Sequence, residues 1–447
     1  MGLKPQTIAL LTAGVAVTAG IGYMVYFDQK RRNDPKFRKQ LKRERKKVAK
    51  ATKVAEEQAK HSTVQLIEAV LEAASKEPLP TTPEEKEKYF MAQVGAGEAF
   101  YDQAILPFYM ALKVYPAPME LIMIYQKTVP APVFQIVVQL MALEQQKRQS
   151  AFYEQFPPKS SNVKLGEVSD AESEARRALL ADKDIKEGET IFIEAPVVSA
   201  LHPAFEGLFC NFCLAKVNET KVECAECSHV VFCSDVCKEK ANVEYHKYLC
   251  AKDKVEDASE KEASAFVEFS KQSNRKYPLM IARFLSTMVA EEVAKNQQGN
   301  TEDTYNSWDH VDRFKYLETA PSADSNQEIE LLKALLGPKV QGISEFLTDE
   351  IYLMLKGKLL YNAYAVKPTE DVEAVETDEL MRETKDNDRP SIGAALYKIS
   401  TYIGQSEDAY NTQMIFRDNH EVAVIATKDI KEGEELTASY AMPTPKE

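Results

Sequence analysis

Every cysteine in this chain falls within the single stretch Cys210–Cys250, and no other feature restricts its folding so tightly. The spacing is Cys210-x2-Cys213, Cys224-x2-Cys227, Cys233-x3-Cys237 and His246-x3-Cys250. Eight soft donors in four pairs supply two tetrahedral sites of four Cys/His ligands, the coordination that zinc favours. Disulfides are the competing reading. The odd count of 7 cysteines, a histidine at ligand spacing and the reducing cytosol assigned to the body below all weigh against them. With four donors at each ion no coordination position stays open for catalysis, so two structural zinc ions are expected.

The pattern resembles a MYND finger. That resemblance implies interleaved ligands: Cys210, Cys213, Cys233 and Cys237 on one ion, and Cys224, Cys227, His246 and Cys250 on the other. It also implies a surface that docks proline-containing peptides.

The N-terminus constrains location. Thr7–Phe27 carry no charge over 21 residues, enough for a helix of about 31 Å, the thickness of a bilayer core. Tyr23, Tyr26 and Phe27 cluster at one end, as interfacial aromatics do. Residues 1–50 hold 13 Lys/Arg against 3 Asp/Glu, almost all after the apolar run, which places the N-terminus across the membrane and the body in the cytosol. A cleaved signal peptide fits poorly, because only Lys4 precedes the run and no small-residue cleavage site is evident. The whole chain has a net charge of −13, so the body is strongly acidic and no nucleic-acid partner is expected. Its 447 residues, 44% apolar and 28% charged, suit two to three globular domains and exclude whole-chain disorder.

The segment IGYMVYFDQKRRNDPKFRKQLKRERKK resembles the anchor and juxtamembrane region of the small presequence receptor of the mitochondrial outer-membrane translocase, the receptor with one tetratricopeptide-like motif. The resemblance resumes over Glu84–Gln135. It implies the outer mitochondrial membrane, and as partners precursor presequences and other translocase subunits.

Residues 51–76 read as a helix. A start signal follows, with Thr82 as cap, Pro83 at the first helical position and Glu85 completing a capping box. Further helices are expected near Ile105–Tyr115, at about Met119–Lys127, and over Val133–Lys147 behind Pro130 and Pro132. An apolar stripe such as Phe90, Met91, Val94, Leu121, Ile124 and Tyr125 ordinarily faces a core. The resemblance implies instead that Phe90, Met91, Val94, Ile124 and Tyr125 line a groove for the apolar face of a targeting helix. Leu121 belongs to the same candidate set, and Glu98, with Glu87 and Glu120, would draw the basic face of the targeting helix. Between Glu98 and Phe108 the chain is several residues shorter than the animal receptors, so this helix pair is compact.

The motif KDIKEGE occurs twice, at Lys183–Glu189 and Lys428–Glu434, each time between β-prone runs, and reads as two strand–turn–strand hairpins. With a MYND-like stretch after the first, the region resembles the SET-and-MYND protein-lysine methyltransferases, whose SET fold is split by the finger and a helical insert. The residues that fold needs for S-adenosylmethionine are mostly absent. Its Gly-x-Gly falls on Arg176, Arg177 and Ala178. Its Asn-His-Ser-Cys-x-Pro-Asn falls on Gly404, Gln405, Ser406, Glu407, Asp408, Ala409 and Tyr410, of which Ser406 alone matches. No cysteine follows Cys250. The tyrosine that orients the substrate amine survives as Tyr440, equally readable as a packed strand residue. S-adenosylmethionine is therefore not expected, and no catalytic residue is assigned beyond Tyr440 should the fold be active. Among the remaining histidines, His61, His202, His229, His310 and His420 form no catalytic cluster and read as surface or satisfied core residues. Lys254–Ala263 and Thr369–Asp388 read as solvated loops.

The expectation is thus a multidomain α plus β protein. A transmembrane helix (7–27), a basic juxtamembrane segment and stalk (28–80) and a small all-α tetratricopeptide-like domain (81–157) precede a β-rich SET-like fold. That fold begins at 165–209, is split by a MYND zinc finger (210–250) and a helical insert (251–336), and resumes at 337–447. The expected function is presequence reception, with the SET/MYND region as a non-catalytic binding or scaffold module. The alternative is a membrane-anchored lysine methyltransferase.

Overall fold

A computed structural model describes residues 65–80, 83–99, 104–115, 118–169, 176–219, 221–228, 230–254, 261–273, 275–298, 305–368, 371–373, 375, 382–384, 389–417 and 419–441. The expected span 7–27, the basic segment and the Thr82 cap lie outside these residues. Among the described residues no helix is long and apolar enough to cross a membrane. The chain divides into two compact units between Ser150 and Ala151.

The first unit is helical: α1 (65–76), α2 (Pro83–Ala99), α3 (Ile105–Val114), α4 (Pro118–Thr128) and the start of α5 (Ala131–Gln155). Prolines at or beside the starts of α2, α4 and α5 set each entry, since a missing N–H costs nothing in the first turn. Phe108, Leu112, Leu121, Tyr125 and Val137 form one core cluster, and Ile67, Val70, Tyr109, Met110 and Leu140 another. Gly97 has a packing reason. A Cβ there would come within 2.8 Å of the Phe108 ring, so the helical penalty of glycine is offset by close approach of α2 to α3.

The second unit, from Ala151, is mixed. Residues 151–157, grouped by sequence with the helical domain, send Phe152 and Phe156 into this unit's core. Strand β1 (Val163–Val168) pairs antiparallel with β2 (Arg176–Ala181). Strands β3 (Thr190–Glu194) and β4 (Val198–Leu201) follow, then the cysteine-rich stretch with β5 (Val222–Glu223), β6 (Val231–Phe232) and α6 (Asp235–Ala241). Helices α7 (Lys261–Ser273), α8 (Tyr277–Gln298), α9 (Ser307–Asp312), α10 (Ala323–Leu336) and α11 (Asp349–Asn362) make a helical layer. The remaining strands are β7 (Tyr364–Val366), β8 (Glu383–Thr384), β9 (Gly393–Leu396), β10 (Gly404–Gln405), β11 (Thr412–Phe416), β12 (Val422–Ala426), β13 (Thr437–Ala438) and β14 (Tyr440–Ala441). They assemble into a five-stranded sheet of order β10-β13-β11-β12-β3, a three-stranded sheet β4-β9-β7 and two-stranded ribbons.

The KDIKEGE repeats correct one expectation. The strands flanking each turn do not form local hairpins: β2 pairs with β1, and β3 with β12. The two turns instead bind each other across 245 residues, Ile185 N–H donating to Ile430 O and Ile430 N–H to Ile185 O, both at 2.9 Å. The side chains are reciprocal as well. Asp184 accepts from Lys431 Nζ (2.9 Å) and Glu432 N–H (3.0 Å), while Asp429 accepts from Lys186 Nζ (2.8 Å) and Glu187 N–H (3.1 Å). Gly188 and Gly433 take φ of +81° and +82°, which the matched turns require and which side chains resist.

Candidate functional sites

In the first unit the groove candidates separate by exposure. Leu121 and Tyr125 are buried at 4% and 3%, and Phe90 is half-buried against their cluster with its ring 5.0 Å from Tyr115. Val94 is half-buried. Met91 and Ile124 stand 65% and 50% exposed, and Met123, not singled out by sequence, is 56% exposed. Glu87, Glu98 and Glu120 are exposed carboxylates. Burial pushes the Tyr125 hydroxyl up, and the negative charge of Glu98 adds to the effect. Of the candidates, Leu121 and Tyr125 are thus core residues, Phe90 and Val94 half-buried, and Met91 and Ile124 solvent-facing, with exposed carboxylates on the same two helices.

In the second unit the eight cysteine-stretch donors gather in two groups, Cys210/Cys213/Cys233/Cys237 and Cys224/Cys227/His246/Cys250, with donor atoms within 4.8 Å of one another. None of the cysteines is in a disulfide. Zinc–sulfur bonds near 2.3 Å would put sulfurs about 3.8 Å apart at tetrahedral corners. The measured separations are 3.6 Å for Cys213–Cys233, 3.5 Å for Cys233–Cys237 and 4.0 Å for Cys224–Cys250. His246 Nε2 lies 3.3 Å from Cys224 Sγ and 3.7 Å from Cys227 Sγ. Both groups can hold a metal ion and are compatible with zinc.

The strand carrying Arg176 runs beside the turn that ends in β13. Arg176 forms a two-pronged ion pair with Glu435, Nη1 to Oε1 at 2.7 Å and Nη2 to Oε2 at 3.1 Å. The same carboxylate packs against Gly404, where any Cβ would collide with it. Arg177 lies over the Tyr153 ring, 3.8 Å from its centroid. Glu194, at the end of β3, is buried and accepts from Ile399 N–H (2.7 Å), Ser400 N–H (2.9 Å) and Ser400 Oγ (2.8 Å), fixing the turn that leads to β10. Burial holds its carboxyl above the ordinary range despite these donors.

A family model described as MAS20 protein import receptor matches residues 10–154, and the SET-domain model matches residues 176–441. The mitochondrial import receptor subunit tom20 of Neurospora crassa is 43% identical over 150 residues, 32% of this chain and 83% of that protein. Its counterpart TOM20 of Saccharomyces cerevisiae is 35% identical over 140 residues, 30% of this chain and 76% of that protein. The chain belongs to the import-receptor family in its first third and to the SET family in the rest. A SET and MYND domain-containing protein of Dictyostelium discoideum is 23% identical over 265 residues, 57% of this chain and 69% of that protein. The architecture is that of an import-receptor-family segment followed by a SET-family domain.

At the positions aligned with the cofactor motifs, Arg176 pairs with Glu435, and Gly404 and Gln405 lie in β10 against β13. Tyr440 is 3% exposed, and its hydroxyl donates to Ile403 O at 2.9 Å. Burial pushes that hydroxyl up, so Tyr440 stays a neutral phenol.

Two of the groups that escaped the sequence reading overturn an expectation. Arg382, inside a stretch read as a solvated loop, is 4% exposed, and Thr384 is 3% exposed. That part of the loop is corrected to a short strand paired with β14, with Arg382 and Thr384 buried and Glu383 exposed. His310 is the other. It lies edge-on to Phe152 and Phe156 at centroid distances of 5.0 and 4.6 Å, and its Nδ1 is buried without a hydrogen-bond partner, not a satisfied histidine. His420, by contrast, has its Nδ1 2.9 Å from Ser199 Oγ. His61 and His229 lie outside the described residues.

Burial, then the positive charges of Lys398 and Arg313, push the His310 imidazole down to about 3. A group depressed in the folded state stabilises above its unfolded pKa of about 6.5 and loses that stabilisation as pH falls toward the folded value. At about pH 5 the loss is roughly 2 kcal/mol. His310→Phe should flatten this part of the stability-versus-pH curve, measured by urea unfolding between neutral and mildly acidic pH. An unchanged slope would rule out His310 as its source.

Proposed function

We propose that this chain is an import receptor of the mitochondrial outer membrane whose helical unit binds the amphipathic, basic presequences of precursor proteins. The observation that carries the reading is the exposure of Met91 on α2 and Ile124 on α4, helices whose Phe90, Leu121 and Tyr125 share one core cluster, with Glu87, Glu98 and Glu120 in solvent. Flexible methionine and an aliphatic anchor adapt to varied apolar helix faces, while carboxylates attract the Arg/Lys face and speed encounter. The similarity to mitochondrial import receptor subunits of N. crassa and S. cerevisiae supports the same reading. The uncharged run Thr7–Phe27 is proposed as its membrane anchor, with the body in the cytosol and other translocase subunits as partners.

The cysteine stretch is proposed as a MYND finger with two structural zinc ions, and the SET region as a non-catalytic binding or scaffold module. Support for the second comes from the Arg176–Glu435 pair where a cofactor edge would lie and from the committed hydroxyl of Tyr440.

The test is presequence-peptide titration of the Met91→Ser, Ile124→Ser double variant. Each anchor contributes about 1 kcal/mol when a bound helix covers it, so affinity should fall roughly thirty-fold. Melting temperature should hold, since both side chains already face solvent. Unchanged affinity would remove the groove, and with it the receptor reading of this surface. Leu121→Ala, at a buried core residue, should instead destabilise the unit by about 2–5 kcal/mol.

A further inference from the structure

Arg382 is a buried cation whose four hydrogen-bond acceptors among the described residues are all neutral. Its Nε donates to Tyr361 O (2.9 Å), Nη1 to Tyr364 Oη (3.1 Å) and Thr401 O (3.0 Å), and Nη2 to Asn362 Oδ1 (3.2 Å). The guanidinium carbon also lies 5.4, 5.3 and 5.2 Å from the ring centroids of Tyr361, Tyr364 and Tyr440. Tyr364 and Tyr440 meet edge to face at 5.6 Å, so two walls of the box support each other.

A buried guanidinium without a carboxylate partner is retained only where oriented dipoles and aromatic faces replace water. Three tyrosine rings and a ring of carbonyl, hydroxyl and amide oxygens are such an arrangement, and they form a receptor for a planar cation. The arginine reaches this receptor from the charge-rich stretch 369–388. Its main chain is tied by Ala365 N–H to Arg382 O and Arg382 N–H to Ala363 O, both 3.0 Å, and the next two residues pair with β14.

We infer that Tyr361, Tyr364 and Tyr440 build a cation-recognition box that Arg382 occupies in cis, closing it to a cationic side chain from another peptide. This deepens the proposed non-catalytic reading of the SET region, because the surviving tyrosine is then a wall around the chain's own arginine.

The experiment compares the full-length Arg382→Lys, Arg382→Met and Arg382→Ala variants by thermal unfolding. A cation-selective box keeps the lysine variant several degrees more stable than the methionine variant, although methionine fills similar volume without charge. A methionine variant as stable as the lysine variant, or more so, would overturn the inference. In Arg382→Ala, methylguanidinium at about 10 mM should raise the melting temperature, while neutral N-methylurea and sodium at equal concentration should not. Equal rescue by the cation and its neutral isostere would mean a plain cavity and would also overturn it. Tyr440→Leu added to Arg382→Ala should weaken the cation rescue, and undiminished rescue would exclude Tyr440 from the box. S-adenosylmethionine is titrated into Arg382→Ala separately. Binding there would refute the non-catalytic reading while leaving the cation result to stand by itself.

Discussion

Cys227→Ser is expected to lower the melting temperature far more than Cys237→Ser, although each removes one thiolate from one four-donor group. The two groups sit in different surroundings. Cys224, Cys227 and Cys250 are part of the large core that includes Phe266, Met280, Phe284, Leu332 and Leu355 of the helical layer. Cys210 belongs to a small cluster with Phe232, Ala241 and Tyr245, while Cys213, Cys233 and Cys237 are only partly covered. Structural zinc supplies about 10–16 kcal/mol of apparent folding free energy in isolated fingers. Losing it beside the large core should expose that core and unfold the unit at physiological temperature. Losing it at the other group should open the finger locally and leave the helices packed. Metal analysis should give two zinc ions in the parent and one in each variant, and circular dichroism should show the helical signal kept only in Cys237→Ser. Equal losses of helix would mean that the groups form one cooperative block.

Glu328→Ala should be the most destabilising single change in the helical layer, about 3–5 kcal/mol by urea unfolding. Glu328 is fully buried on α10 and accepts from Tyr277 Oη at 2.6 Å on α8 and from Tyr352 Oη at 2.5 Å on α11. Arg275 and Lys356 approach its oxygens to 3.8 and 3.7 Å. Alanine strands two buried hydroxyls and the half-buried Lys356 ammonium around a void, while Arg275 keeps its ion pair with Asp324 at 3.1 Å, so much of the desolvation is left uncompensated. Glu328→Gln retains an acceptor for one tyrosine and should lose about half as much. A loss below about 1 kcal/mol for alanine would mean that water replaces the carboxylate.

These residues also mark where the sequence could be read and where it could not. Helices α2 to α5 announce themselves by prolines at their starts and by apolar spacing, and their observed bounds differ from the expected ones mainly in the length of α5. The eight metal donors are legible because ligand pairs must be close in sequence as well as in space. The KDIKEGE turns are legible as turns, since Gly188 and Gly433 need positive φ, but their partners are not. A β-prone run carries no record of which distant strand it pairs with, and here the true partner is the other repeat. Glu194, His310, Glu328 and Arg382 are lone polar residues in ordinary contexts. What makes each important is a neighbour from another element, such as Ser400, Phe156, Tyr352 or Tyr440, and no local pattern encodes that. Exposure of Met91 against burial of Leu121 is likewise a tertiary outcome of one apolar stripe.

The reciprocal grip between Ile185 and Ile430 has a consequence for the order of events at the ribosome. Closing a loop of 245 residues carries an entropic penalty of about 5 kcal/mol beyond its fixed part, and it cannot begin until the second turn has been synthesised. At roughly 5–20 residues per second the first turn waits about 12–50 s for its mate. During that interval the cysteine stretch and helices α7 to α11 emerge in full. Metal capture and helix packing can therefore precede the sheet, leaving β3 an unpaired edge until β12 arrives. A nascent chain halted before Val422 should protect its metal ligands from thiol labelling while residues 190–194 remain open to exchange.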